Sequence, residues 1–234
     1  MSPKLYTECF VQPALQYFLA TLCDYQVDPE QRSRLGLRYS NTPEVRRLLG
    51  RLQKAKFVSP GAHGACPNAI VSALKEILTS FPGGIFNDIS EEFYCISLNS
   101  ALDITIVYLH GLLEALPYFL RQFTYLICRS LRNLVFQSSG SLVDSYTDLL
   151  LLFTPALFPT SVGDVQRFLR ASRLTLVMVD RCEQVFQPVV LLDKNGNVCQ
   201  PVSEDEAFFH QVFESLSRLE ASLDSDSEVE DEAP

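Results

Sequence analysis

Apolar residues recur at a helical period along most of this chain, and proline or glycine closes almost every run. The clearest case is Ile70, Ala73, Leu74, Ile77 and Leu78, set between Cys66-Pro67-Asn68 and Pro82-Gly83-Gly84. Side chains three and four positions apart share one face of a 3.6-residue helix, so the run predicts an amphipathic helix over 69–80. Phe10, Ala14, Leu15, Phe18, Leu19 and Leu22 repeat the pattern, with Pro13 tolerated in the first turn. Thr42-Pro43-Glu44 reads as the cap and first turn of a helix continuing through Val45, Leu48, Leu49 and Leu52. Further helices are expected from Ser90, over 102–116 and over 118–136, the last with Phe119, Phe123, Leu126, Ile127, Leu131 and Leu134 inward. Leu142 to Phe153 is apolar almost all round and is expected to be central and buried. Pro155 to Gly163 is expected to interrupt, and 164–186 to complete the helical body. Asp28 to Arg34 and Gln137 to Ser141 read as polar loops.

Beyond that body the pattern changes. Val189 to Leu192 and Val198-Cys199 flank Asn195-Gly196, a pair favoured in two-residue hairpin turns. Ser203 to Glu206 is a capping box opening a last helix with Phe209, Val212, Phe213, Leu216 and Leu219. The expected organisation is therefore a helical domain over 1–188, a hairpin and packed helix over 189–222, and a disordered acidic tail over 223–234. The fold class is all-α, one helical bundle with a small C-terminal β-hairpin and a terminal helix.

Charge excludes one class of function. From Glu220 onward stand seven acids (Glu220, Asp224, Asp226, Glu228, Glu230, Asp231 and Glu232) and no base, so the 28 acidic residues leave 21 against 19 basic ones in the body. A nearly neutral body with an acidic tail lacks the basic footprint that nucleic acid requires. Ser222, Ser225 and Ser227 among these acids form a candidate phosphorylation cluster, or else part of a merely solubilising tail.

The seven cysteines (Cys9, Cys23, Cys66, Cys95, Cys128, Cys182 and Cys199) are scattered, odd in number and never spaced C-x-x-C. That spacing argues against a disulfide framework and a zinc site, and fits a reducing compartment. MSPKLYTECF carries Glu8 and no long apolar run, and the greasiest stretch, Leu149 to Phe158, contains Pro155. Neither a leader nor a membrane span is expected, and the location read from this is cytoplasmic.

Chemistry-bearing clusters are few. His63, His110 and His210 are dispersed, and His110 reads as a packing residue in an apolar helix. His63 beside Cys66 is a weak thiol–imidazole signal. No G-x-x-x-x-G-K-[ST] loop exists to cradle a nucleotide, and Asp193 to Asn197 lacks the later ligands of a calcium loop. No cofactor and no metal are expected.

One ordered set of motifs remains. Gly36-Leu37-Arg38-Tyr39-Ser40-Asn41 is followed by Ile70 to Leu78 with Lys75, then Phe81-Pro82-Gly83-Gly84-Ile85-Phe86. Leu116-Pro117 then opens the long helix, and Asp148 to Leu157 carries Phe153 and Pro155. This order resembles the RhoGAP domain, the module that activates GTP hydrolysis on Rho-family small GTPases. That family reads roughly G-[IL]-[FY]-R-x-S-G, L-K-x-x-L-R-x-L-P-x-P-L, L-P with a long helix, then N-L-A-x-x-F-x-P-x-L. The likeness covers about residues 10 to 187.

The resemblance implies a partner, a Rho-family small GTPase in its GTP-bound state, and a role in signal transduction. It places Arg38 as the arginine finger that completes the partner's active site. Lys75 matches the family's helix lysine, and Ser40 and Asn41 fall at partner-binding positions. The alternative for Arg38 is an ordinary loop arginine, and for Lys75 a solvated charge opposite its helix's apolar stripe.

Departures from the pattern are specific. No aromatic residue precedes Arg38, Asn41 replaces a glycine, and Thr79 replaces a second helix arginine. Gly83 and Gly84 replace an acidic–proline pair, Leu142 falls near a finger-supporting asparagine, and Asp148 replaces another. A finger needs preorganised support to place its charge, so these losses bear on catalysis more than on binding. A catalytically impaired binding or scaffold module of the same fold, and an unrelated helical interaction protein, are the alternative readings.

Overall fold

The computed structural model of the chain describes residues 12–32, 42–60, 66–86 and 89–186. Its elements are α1 (Pro13–Cys23), α2 (Pro29–Arg32), α3 (Thr42–Gln53), α4 (Pro67–Thr79), α5 (Ser90–Phe93), α6 (Leu102–Glu114), α7 (Tyr118–Phe136), α8 (Leu142–Leu157), α9 (Val165–Asp180) and α10 (Cys182–Phe186). The fold is all-helical, and no strand occurs among the described residues. The expected hairpin and last helix lie outside the described residues.

Helices α7, α8 and α9 pack on one another and form the centre. Helix α1 lies against α7, α6 and α10 close over α7 and α9, and α4 packs on α8. Helix α3 is outermost, held chiefly through α4. The arrangement follows from the apolar faces. Leu15, Phe18, Leu19 and Leu22 of α1 are fully buried, as are Ile70, Ala73, Leu74 and Leu78 of α4.

Helix α9 is buried differently along its length. Its second half, Leu174 to Val179, is buried on every side, while its first half carries Arg167, Arg170 and Arg173. These three reach across to the segment 91–105. Arg167 makes two 2.9 Å bonds to Glu91, Arg170 donates to the Tyr94 carbonyl at 2.8 Å, and Arg173 donates to the carbonyls of Ser97 and Ser100. Arginine suits this task because one flat guanidinium offers five donors.

Aromatic packing fixes the turn between α4 and α5. Phe86 stacks on Phe93 at 4.6 Å and on Phe158 at 4.9 Å, and Phe158 meets Phe93 at 5.3 Å. Tyr146, buried in α8, donates to Asp180 of α9 at 2.6 Å, and Arg181 pairs with the other carboxylate oxygen at 3.1 Å.

Four local expectations need correction. Asp28 to Arg32 is not wholly loop: Asp28 accepts from the Glu30 amide at 3.0 Å, Pro29 sits in the first turn, and α2 forms. Pro155 does not end α8, which continues to Leu157. A proline there leaves the Leu151 carbonyl without its amide, and Leu151 lies on the exposed side, where water can serve it. For the same reason α8 is not buried all round, since Leu142 and Leu151 are exposed. The stretch 164–186 is two helices, because Arg181 leaves helical geometry at φ −106° and ψ 28° and turns α10 toward α6.

Glycine is required at one turn. Gly83 and Gly84 have φ of 76° and 86°, and a Cβ on Gly84 would lie 2.6 Å from Pro159 Cδ and 3.0 Å from the Leu157 carbonyl. This close approach accounts physically for the Gly-Gly pair. Gly84→Ala is expected to lower unfolding free energy by about 1–3 kcal/mol. Gly111→Ala, in mid-helix with nothing within 4 Å of the added carbon, is expected to raise it by about 0.5–1 kcal/mol. Urea unfolding of the two variants checks the opposite signs.

Candidate functional site

Helix α4 carries the described part of the candidate site. Pro67 occupies its first turn, and Cys66, with extended backbone at φ −67° and ψ 151°, precedes it. Its apolar face is buried, which leaves Asn68, Ser72, Lys75 and Thr79, spaced i, i+4, i+7 and i+11, as one outer stripe. Lys75 is half-buried on that stripe and makes no hydrogen bond or ion pair among the described residues. An ammonium in that state is available to an anionic partner. Arg38, Ser40 and Asn41 lie outside the described residues.

The flanks of α4 are positioned by specific bonds. Glu44, in the first turn of α3, accepts from the Cys66 amide at 3.3 Å, which ties the start of α3 to the start of α4. Thr42, where α3 begins, directly follows the stretch holding Arg38, Ser40 and Asn41. On the other side, α8 opens on Ser141, whose hydroxyl accepts from the Asp144 amide at 3.1 Å. Asp144, Asp148, Leu151 and Pro155 form the outer stripe of α8.

The departures noted in the sequence now have locations. Thr79 is exposed, and its hydroxyl donates to its own helix at the Glu76 carbonyl, 3.1 Å away. Leu142 is 42% exposed at the first position of α8, an apolar side chain facing solvent where a polar one costs nothing. Asp148 is half-buried.

A pair of amides at the end of α7, Asn133 and the C-cap Gln137, carries no motif. Asn133 donates to the carbonyls of Leu22 and Tyr25 at 3.0 and 2.8 Å. Gln137 donates to Asn133 Oδ1 at 3.0 Å and to the Tyr25 carbonyl, and accepts from the Val27 amide. Gln137 is thus buried and bonded, not part of a solvated loop. The clamp holds the chain leaving α1, and its only sequence signal is polar residues four apart at the end of an apolar helix.

Among the described residues no thiol is paired with His110, whose ring meets Val185 and Glu114. Cys23, Cys66, Cys95, Cys128 and Cys182 are free thiols. Burial pushes the Cys128 thiol well up and Cys182 to about 11, the latter helped by nearby Glu183. Burial, then a hydrogen bond with Glu44, raises Cys66. His110 lies against the Val185 carbonyl at 3.1 Å and Glu114 at 3.4 Å, as a packing residue does. His63 lies outside the described residues. Among the described residues no group of three or more His, Cys, Asp or Glu could hold a metal ion, and no helix is long and apolar enough to cross a membrane. At pH 8 iodoacetamide is expected to alkylate exposed Cys95 in the native protein and to leave Cys128 and Cys182 as unreacted thiols until denaturant is added. Peptide mass mapping checks this, and labelling of Cys182 at the rate of Cys95 would contradict the burial described.

No protein-family model and no curated protein matches the chain. Among solved structures the fold matches the BH domain from GRAF, the GTPase regulator associated with focal adhesion kinase, with a TM-score of 0.61. The two chains are 18% identical, and the match covers 74% of this chain and 95% of that one. This chain therefore has the all-helical, RhoGAP-like fold of a BH domain.

Proposed function

We propose that this chain binds a Rho-family small GTPase in its GTP-bound state and accelerates hydrolysis by supplying Arg38 to the partner's phosphate pocket. The observation that carries the reading is the agreement of two independent things. The order of motifs resembles RhoGAP, and the fold matches a domain taken from a GTPase regulator. In this reading the helical body is a platform and the chemistry takes place in the partner.

Transfer of the γ-phosphoryl group spreads negative charge over its oxygens, and catalysis is mostly positioning and neutralisation of that charge. Arg38 would donate hydrogen bonds to those oxygens, which it can do in two directions at once because its guanidinium is planar. Lys75, unpaired on the outer stripe of α4, would meet a carboxylate of the GTPase. Ser40 and Asn41 would contact the partner beside the finger. No cofactor of this chain's own takes part.

A second reading, binding without catalysis, is favoured by Thr79 and Leu142. Thr79 donates its hydroxyl proton to its own helix and brings no guanidinium where the family has one, and the Leu142 side chain offers no polar group, so the support those family positions give a finger is reduced.

Single-turnover phosphate release across a panel of GTP-loaded Rho-family proteins separates the readings. Acceleration is expected from the wild-type chain, toward the 10³–10⁵-fold range of about a complete finger, with most of it lost in Arg38→Ala. Lys75→Ala is expected to weaken the complex about tenfold while leaving unfolding free energy within about 0.5 kcal/mol of wild type. A complex without acceleration would establish the binding-only module, and no complex with any member would overturn both.

A further inference from the structure

The cations on the described helices of the centre and on α3 fall into two groups. Those on the central helices are engaged: Arg121 with Glu114 at 4.0 Å, Arg129 with Asp24 at 3.4 Å, and Arg132 over the Phe136 ring at 5.1 Å. Arg167, Arg170 and Arg173 hold the segment 91–105, and Arg181 pairs with Asp180. By contrast Arg46, Arg47, Arg51, Lys54 and Lys56 have no ion pair and no side-chain hydrogen bond among the described residues. Four of these five are exposed, and Arg51 is half-buried. The one acid within 42–60, Glu44, already accepts from the Cys66 amide.

These charges share a surface. Arg47, Arg51 and Lys54 follow at i, i+4 and i+7 along one side of α3 and its end, with Arg46 adjacent. Arg47 and Arg51 border a groove whose floor is Phe18, Leu48, Val58 and Ile70. At its margin Phe57, 62% exposed, meets Tyr17 edge-on at 5.4 Å. A concentrated positive face of this kind attracts an acidic, partly apolar segment, and α3 packs chiefly on α4, which leaves that face uncovered.

The chain carries such a segment. Residues 220–232 hold seven acids and no base. The 33 residues from 187 to 219 join them to the end of α10 at Phe186, and a chain of that length spans at most about 110 Å, beyond the width of a body whose radius of gyration is about 16 Å. Because the segment belongs to the same chain, its docking is intramolecular, and individually weak ion pairs suffice. An anionic membrane would suit the same face, but the seven acids of 220–232 would be repelled by it.

We propose that the acidic segment 220–232 docks on the basic face of α3 within the same molecule. Docking stands on charge and reach alone. Its consequence rests on the proposed function: α3 directly follows the Arg38 segment, so a docked tail places negative charge where a phosphate-bearing partner approaches.

Zero-length carbodiimide coupling of the full-length chain, read by mass spectrometry on the monomer fraction, tests the docking without any GTPase. Amide bonds are expected from Lys54 and Lys56 to carboxylates between Asp224 and Glu232, in preference to Lys75. They should vanish at about 1 M salt, where the screening length falls to about 3 Å. Coupling spread evenly over the lysines would overturn the proposal, and tail-to-α3 bonds found only in covalent dimers would make a second copy the occupant and overturn it too. A parallel arm floats the chain with phosphatidylserine vesicles. Release of vesicle binding by Asp224→Asn, Asp226→Asn, Glu228→Gln and Glu230→Gln together supports a tail that covers the face. Strong binding of the wild-type chain, unchanged by those substitutions, would make a membrane the occupant and overturn the tail.

Discussion

Burial of the second half of α9 is the constraint on which the other helices depend. Leu174, Leu176, Val177, Met178 and Val179 have no exposed surface, so partners must surround α9 there, and α6, α7, α8 and α10 do so. The first half of the same helix works by a different force. Its arginines satisfy the carbonyls of Tyr94, Ser97 and Ser100, which would otherwise sit at the end of an irregular segment with few partners. One helix therefore joins an apolar centre to a hydrogen-bonded periphery, and Tyr146 with Asp180 ties α8 to the C-terminal end of α9.

The side of the molecule bearing α3 and α4 is built on other terms. Helix α4 is anchored through its buried face to α8, and α3 is anchored chiefly through α4. Cations on this side make no ion pair and no side-chain hydrogen bond among the described residues: Lys75 on α4, and Arg46, Arg47, Arg51, Lys54 and Lys56 on and after α3. Pairing every cation internally, as α9 does, fixes a fold. Leaving them unpaired on these helices leaves charge for something outside the body to meet, in the proposals made above a GTPase at Lys75 and the chain's own acidic segment on α3.

The helical pattern was highly legible where a helix shows one face to the core and proline marks its start. Pro117 and the apolar face ending at Phe136 delimit α7 as observed, and Pro67 opens α4. The misses share one physical origin. Periodicity reports which face is apolar but not which carbonyl water can reach, so Pro155 reads as a stop although α8 passes through it. Nor does a local pattern contain long-range bonds, so Gln137 reads as loop although the Val27 amide and Tyr25 carbonyl bury it. Of the site, Lys75 stands on the outer stripe of α4, opposite the apolar face, which the helix period alone already implies. The basic face of α3 needed the structure, because only the absence of partners distinguishes those charges from the paired arginines elsewhere.

The central claim is that a cation at position 38 enters a partner's phosphate pocket as charge develops there. Aluminium fluoride added to a GDP-bound Rho-family protein mimics the phosphoryl group in transfer, so affinity for that complex reports the claimed contact itself. The account predicts that fluoride markedly tightens binding of the wild-type chain and leaves binding of Arg38→Ala unchanged. Tightening by fluoride that is equal in wild type and Arg38→Ala would contradict it.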